Sequence, residues 1–114
     1  MSTTSEDTQR YKLVFFTPPA DLPKIKEAIF AAGAGQYGPK YSECCFTTPG
    51  IGQFRPSASA NPHIGKPGEV EEVGEARCET LCVGREVTQA VVEALKKAHP
   101  YEEVAYEVYK IENF

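Results

Sequence analysis

Twice along the chain, a strand-length apolar run is followed by a segment whose apolar residues recur every three or four positions. This alternation of two periods restricts the fold more than any single motif does. The first run, Tyr11-Lys12-Leu13-Val14-Phe15-Phe16-Thr17, is rich in aromatic and branched residues. It is long enough for a buried strand and too short for a helix. Pro18-Pro19 stop it. Beyond them Asp21 is placed to cap a new helix, Pro23 fits its first turn, and Leu22, Ile25, Ile29 and Ala32 share one face, with Gly33 or Gly35 as the stop. The second unit begins with Val70 to Val83, where Arg77 and Glu79 alternate with Ala76, Cys78 and Thr80, as in a long strand with one solvated face. Glu86 to Ala98 follows as a helix, with Val87, Val91, Leu95 and Ala98 stacked and Lys96-Lys97 near its negative end.

Between the two units the sequence predicts a strand over Tyr41 to Thr47, a turn at Pro49-Gly50 leading into a short extended arm, and a loop from Ser57 to Gly68. His99-Pro100 closes the second helix, and Val104 to Ile111 alternates as a last strand. Residues 1–10 are polar and without period, and are expected to be a disordered tail ahead of a single domain over 11–114. The order β-α-β-(arm)-β-α-β suits an α+β, ferredoxin-like βαββαβ plan: a four-stranded antiparallel sheet with two helices on one face. Phe16, Tyr106 and Tyr109 cannot all lie under those helices, because adjacent strand positions point to opposite sides. The uncovered face is therefore expected to be apolar and to support self-association.

Composition narrows the class of partner. The 114 residues are 41% hydrophobic and 25% charged, as in an ordinary globular domain. Twelve Lys and Arg against sixteen Asp and Glu leave a net charge of −4 with no basic cluster, which disfavours nucleic acid. No apolar run approaches the roughly 18 residues of a membrane span, and Met1 to Thr8 has neither a basic start nor an apolar stretch. Four cysteines then read as free thiols in a reducing compartment, so a cytoplasmic place, or cytoplasmic and nuclear, is expected.

Several patterns coincide on this plan: Ala32-Gly33-Ala34-Gly35, Tyr41 with Cys44 to Phe46, Gly50-Ile51-Gly52-Gln53-Phe54-Arg55-Pro56, Ile64-Gly65, Glu72-Val73-Gly74-Glu75, and His99-Pro100-Tyr101-Glu102-Glu103-Val104-Ala105-Tyr106. Over about residues 11–112 they resemble the YqfO-type domain, the PII/CutA-like module that occurs inserted in bacterial proteins of the NGG-interacting-factor family and also as a free-standing protein. The resemblance implies a fold related to the trimeric PII signalling proteins and to the CutA divalent-cation tolerance proteins. It does not imply catalysis, because the family's dimetal centre belongs to a surrounding domain whose His- and Asp/Glu-rich motifs are missing here. Nor does it carry over the nucleotide binding of PII, whose long loop and basic residues find no counterpart.

Each candidate site has two readings. His99-Pro100-Tyr101-Glu102-Glu103 offers an imidazole, a phenol and two carboxylates, which suit a divalent metal; it is equally a helix stop, with His99 capping the last carbonyls and Tyr101 pinning the turn. Gly50-x-Gly52 lacks the following helix that a dinucleotide site needs, and reads as close backbone packing or a bulge. His63 stands in a loop, either solvated or over a cleft. Cys44 and Cys45 point opposite ways from a regular strand, Cys78 and Cys82 share a face, and no CxxC occurs, so small buried thiols are set against a soft-metal or redox site.

The fold plan, the open apolar face and the resemblance to PII and CutA together imply a non-catalytic, self-associating regulatory or binding module, a dimer or trimer. Its subunit interface and Ser57–Gly68 loop enclose a pocket for a small ligand or a divalent cation. The candidate ligand-binding residues are Gly50, Gly52, Phe54, His63, His99, Tyr101 and Glu103; His63, His99 and Glu103 are the candidates for a metal, the one cofactor suggested. Two alternatives stand beside this. One is a small metal- or thiol-dependent enzyme using His63, His99, Glu102, Glu103 and a cysteine; the other is a protein-interaction adaptor.

Overall fold

The computed structural model describes residues 5–114. The aromatic run forms β1 (Arg10–Thr17), with Leu13, Phe15 and Thr17 fully buried. Pro18 and Pro19 end it, and a 3-10 turn over Pro19–Asp21 leads into a helix over Leu22–Ala31. β2 (Cys45–Phe54), β3 (Glu71–Val83), a helix over Arg85–Ala98 and β4 (Tyr106–Ile111) follow. A one-turn helix, α1 (Ser5–Thr8), precedes β1, so the longer helices are α2 and α3. The sheet order is β2-β3-β1-β4 with every pairing antiparallel, the ferredoxin-like arrangement expected.

One core lies between sheet and helices. Leu13 and Phe15 of β1, Cys78 and Cys82 of β3, Ile25 and Ile29 of α2, and Val91 and Leu95 of α3 are all completely buried in one cluster. The register places Tyr106 opposite Phe15, on the helix-covered face, while Tyr109 pairs with Lys12 on the other. On that uncovered face Val14 and Leu81 are nonetheless buried, and Phe46 and Tyr109 are interleaved with Lys12, Arg77, Glu79 and Glu107. The face is thus mixed rather than apolar, because strand neighbours alternate charge with ring along each row.

Three local expectations need correction. Arg10 already pairs with Val83 and Ile111, the Gly84 amide donates to the Gln9 carbonyl at 2.8 Å, and the Gln9 side-chain amide donates to the Ile111 carbonyl at 2.9 Å. The segment from Ser5 to Arg10 is therefore structured, since an edge-to-edge hydrogen bond needs no apolar side chain; the rest of the expected tail, Met1 to Thr4, lies outside the described residues. Asp21 makes no side-chain cap of α2 and instead pairs with Lys24 at 3.2 Å. Finally, Pro49-Gly50 does not turn. β2 starts later than Tyr41 and runs straight through to Phe54, with Pro49 opposite Ala76 and Gly50 opposite Glu75. β2 is an edge strand, where a missing N–H facing solvent costs the ladder nothing.

Because β1 ends opposite Ala76, the stretch of β3 from Glu71 to Glu75 pairs with β2 alone. The result is a two-stranded ribbon that runs past the body of the sheet in a molecule 54 × 25 × 24 Å across. The crossing from α2 to β2 is held at Gly35, whose N–H donates to the Leu81 carbonyl at 2.7 Å and whose carbonyl accepts from the Cys44 N–H at 2.9 Å. Its φ of 78° and the Cys44 backbone 2.7 Å from where a Cβ would stand leave room only for glycine.

Candidate functional site

The site is built where α3 stops. The His99 N–H still donates to the Leu95 carbonyl at 2.9 Å, but the His99 backbone is already extended (φ −76°, ψ 139°), as the following proline requires. The His99 side chain is buried, 6% exposed, with both ring nitrogens in use. Nδ1 accepts from the Tyr101 N–H at 3.1 Å, which leaves Nε2 to carry the ring proton and donate to the Phe16 carbonyl at 2.7 Å. Burial lowers the His99 pKa, and the hydrogen bond to Phe16 only partly opposes that. A ring so engaged ties the end of α3 to the end of β1; binding a ligand through either nitrogen means breaking one of those bonds.

Tyr101 is the hub. Its ring meets His99 edge-on with centroids 4.9 Å apart, and lies 6.3 Å from His63 and 6.4 Å from Phe54. Its hydroxyl is buried without a hydrogen-bond partner among the described residues. Burial raises the Tyr101 pKa, with the Glu75 and Asp21 carboxylates adding to it, so the phenol stays protonated. An orphaned buried hydroxyl costs about 1–3 kcal/mol, and native structures keep few of them without a use.

Around Tyr101 lies a cleft of about 470 Å³, within the range of small-molecule sites. Phe54, His63 and Tyr101 line it, joined by Glu75, Glu102 and Glu103. Four segments contribute these groups: the end of β2, the loop after it, the ribbon end of β3 and the turn after α3. The loop is fastened at its base, where the Arg55 Nη1 donates to the Gly68 carbonyl at 3.1 Å and the Gly68 N–H donates to the Pro56 carbonyl at 2.7 Å. It is fastened to the turn where the Asn61 N–H donates to Glu102 Oε1 at 3.1 Å.

Of the residues singled out in the sequence, Phe54, His63, Tyr101, Glu102 and Glu103 meet in this cleft. Gly50 and Gly52 do not line it. Gly52 acts from behind: a Cβ there would coincide with the Glu75 carboxylate, so the missing side chain is what lets Glu75 lie across β2. His99 braces Tyr101 from the core side. Glu75 is the residue that sequence reasoning passed over. It stands in one of the quoted motifs, but its place beside the cleft follows from the ribbon register, which the expected turn at Pro49 concealed. Partial burial raises its pKa.

The cysteines lie elsewhere. All four are free thiols, with Cys78 and Cys82 in the core. Burial, with Cys45 beside it, pushes Cys78 up to about 12, and burial pushes Cys82 up to about 11, away from the range of a thiolate. Among the described residues no three His, Cys, Asp or Glu side chains are grouped to hold a metal ion. No helix among them is long and apolar enough to cross a membrane.

No protein-family model matches the chain. Among curated proteins it is 45% identical over 101 residues to a GTP cyclohydrolase 1 type 2 homolog of Bacillus subtilis, covering 89% of this chain and 26% of that protein. Among solved structures, a Bacillus cereus protein related to NIF3 superposes with TM-score 0.79 at 37% identity, over 93% of this chain and 26% of the other. The fold is shared more widely. GlnK of B. subtilis gives TM-score 0.59 at 18% identity, over 91% of this chain and 86% of that one. The divalent cation tolerance protein CutA of Archaeoglobus fulgidus gives 0.63 at 14%, over 92% and 86%. Identity and fold agree on one assignment: the chain is a homologue of the PII/CutA-like segment of the NIF3-related GTP cyclohydrolase 1 type 2 homologs, about a quarter of whose length (26%) it spans.

Proposed function

We propose that this chain is a non-catalytic, self-associating regulatory module that binds a small ligand in the cleft around Tyr101. The observation that carries the reading is the convergence of Phe54, His63, Tyr101 and Glu103, from three separate segments, on one 470 Å³ cleft. Catalysis finds less support. The buried thiols are held protonated, and the His99 ring is spent on two structural hydrogen bonds, so neither supplies an activated nucleophile or a free base. The cyclohydrolase named for the B. subtilis relative is three to four times the length of this chain, and we assign that activity to the remainder of such proteins.

Self-association falls to the ribbon and the uncovered sheet face, where Ile51 is 76% and Phe46 68% exposed. A dimer or trimer formed there covers apolar surface that otherwise meets water. The four free thiols suit a reducing compartment, and we place the protein in the cytoplasm. Native mass spectrometry on protein purified without chelator tests the reading. A dimer or trimer retaining extra mass that Tyr101→Ala releases is the expected result. A bare monomer, with nothing retained from a metabolite screen, overturns it.

A further inference from the structure

The charges around the cleft say what kind of ligand it takes. Glu75, Glu102 and Glu103 line it, and among the described residues none of the three is in an ion pair. Arg55 is the one lysine or arginine in the lining, and one of its five N–H donors goes to the Gly68 carbonyl. A phosphate or carboxylate ligand would therefore meet three like charges against a single cation. A bare divalent ion fares no better, because it needs several donors converging within about 2.0–2.6 Å, and no such group is assembled among the described residues.

What remains is aromatic and acidic together. The Phe54, His63 and Tyr101 rings stand around the cleft with centroid separations of 6.3–6.4 Å from Tyr101, and the π-face of an aromatic ring attracts cations as a carboxylate does. Pro56, Pro62 and Ile64 add apolar wall. A desolvated positive charge on a flat apolar body matches all of these at once.

We propose that the cleft binds a small organic cation, a protonated amine or amidine on a flat apolar body, held by Phe54, Tyr101, Glu75 and Glu103. This rests on the reading of the cleft as a ligand site and names its ligand class. It sets the site apart from one for a nucleotide or a metal ion.

The test holds the body constant and changes only the charge. Amide spectra of the full isotope-labelled chain are recorded against phenethylamine, phenethyl alcohol and phenylacetate. The expected result is that phenethylamine shifts the amides of His63, Ile64, Tyr101 and Glu103, with the alcohol about tenfold weaker and phenylacetate weaker still. Glu75→Gln and Glu103→Gln, near-isosteric changes at positions outside the core, each weaken phenethylamine at least about fivefold while the remaining spectrum stays folded. Equal or stronger shifts at the same amides by the alcohol or phenylacetate overturn the cation assignment and leave the cleft as a ligand site. Shifts from all three probes confined to other parts of the chain, or no shifts at all, overturn the ligand site itself and the cation assignment with it.

Discussion

The two ends of this sheet are made of similar residues put to opposite use. At the helix-covered end, Leu13, Phe15, Ile25, Leu95 and their neighbours have no exposed surface, and the one histidine nearby has both ring nitrogens satisfied. At the ribbon end, Phe54 and His63 flank open space, three carboxylates have no cation among the described residues, and a buried phenol has no partner. Folding alone explains the first region, since burial of apolar area and paired polar groups are what stabilise a domain. It does not explain the second. A buried hydroxyl with no partner among the described residues lowers stability, and the ligand proposed for the cleft beside it is the reading that accounts for this end of the molecule.

The sharpest way to break that contrast is to truncate one phenylalanine in each region. Phe15→Ala removes a fully buried ring from the centre of the core and is expected to cost about 3–5 kcal/mol in urea unfolding. Phe54→Ala, at the half-buried rim of the cleft, is expected to cost about 1 kcal/mol or less. Equal losses at the two positions would mean that the cleft wall is ordinary core.

His99 lies on the boundary between the two regions, so its contribution is read from pH as well as from mutation. His99→Ala removes both ring hydrogen bonds and leaves the Phe16 carbonyl without this partner, an expected loss of about 2–3 kcal/mol at neutral pH. The unfolded chain takes up the His99 proton near the ordinary 6.5, whereas the folded chain resists it until lower pH. Between those two values the unfolded state binds more protons, so stability falls as pH drops through the window and is restored above it. Thermal melts across that range should show the slope in the native sequence and a reduced slope in the variant. An unchanged slope would place the proton elsewhere.

Two glycines carry the contrast on a smaller scale. At Gly35 an added Cβ meets the Cys44 backbone, which cannot move without dragging the α2–β2 crossing; at Gly52 it meets only the end of the Glu75 side chain, which can swing away. Gly52→Ala is therefore expected to change stability by no more than about 1 kcal/mol while displacing the Glu75 carboxylate. The check is the unfolding midpoint together with the Glu75 side-chain resonances, which should shift although the midpoint barely does.

How much of each region was legible in the sequence follows from the same contrast. The core was readable because Leu13 and Phe15, or Val91 and Leu95, repeat at the period of their own element, and period needs no knowledge of partners. The ribbon was not, because Pro49-Gly50 carries a turn signal that only its edge position overrides, and edge position is a property of the whole sheet. Five cleft residues are nonetheless legible, since His63, Tyr101, Glu102 and Glu103 are chemically conspicuous and Phe54 stands in a glycine-rich motif. Glu75 was missed because a glutamate in an alternating strand looks like solvated surface, and only the register brings it to Gly52. His99 was marked for ligand binding on its chemistry; its bond to the Phe16 carbonyl, 83 positions away, is invisible to local pattern.

Tyr101→Phe is the smallest change and the most discriminating, because the two regions predict opposite signs for it. If Tyr101 were an ordinary core tyrosine, its hydroxyl would be paired, and deletion would cost about 0.5–1.5 kcal/mol. With the hydroxyl buried and unpartnered, removing it relieves a desolvation cost and loses no bond. The variant is expected to be more stable by up to about 1 kcal/mol in the ligand-free protein, measured as the shift in urea midpoint at constant slope. The contacts of the ring with Phe54, His63 and His99 survive the change, so packing does not confound the sign. A loss of stability would mean that the hydroxyl is satisfied, and the contrast between a fully paired core and an unpartnered phenol would go with it. A gain in stability joined to weaker phenethylamine binding would identify the hydroxyl as a group kept for the ligand at the expense of the fold.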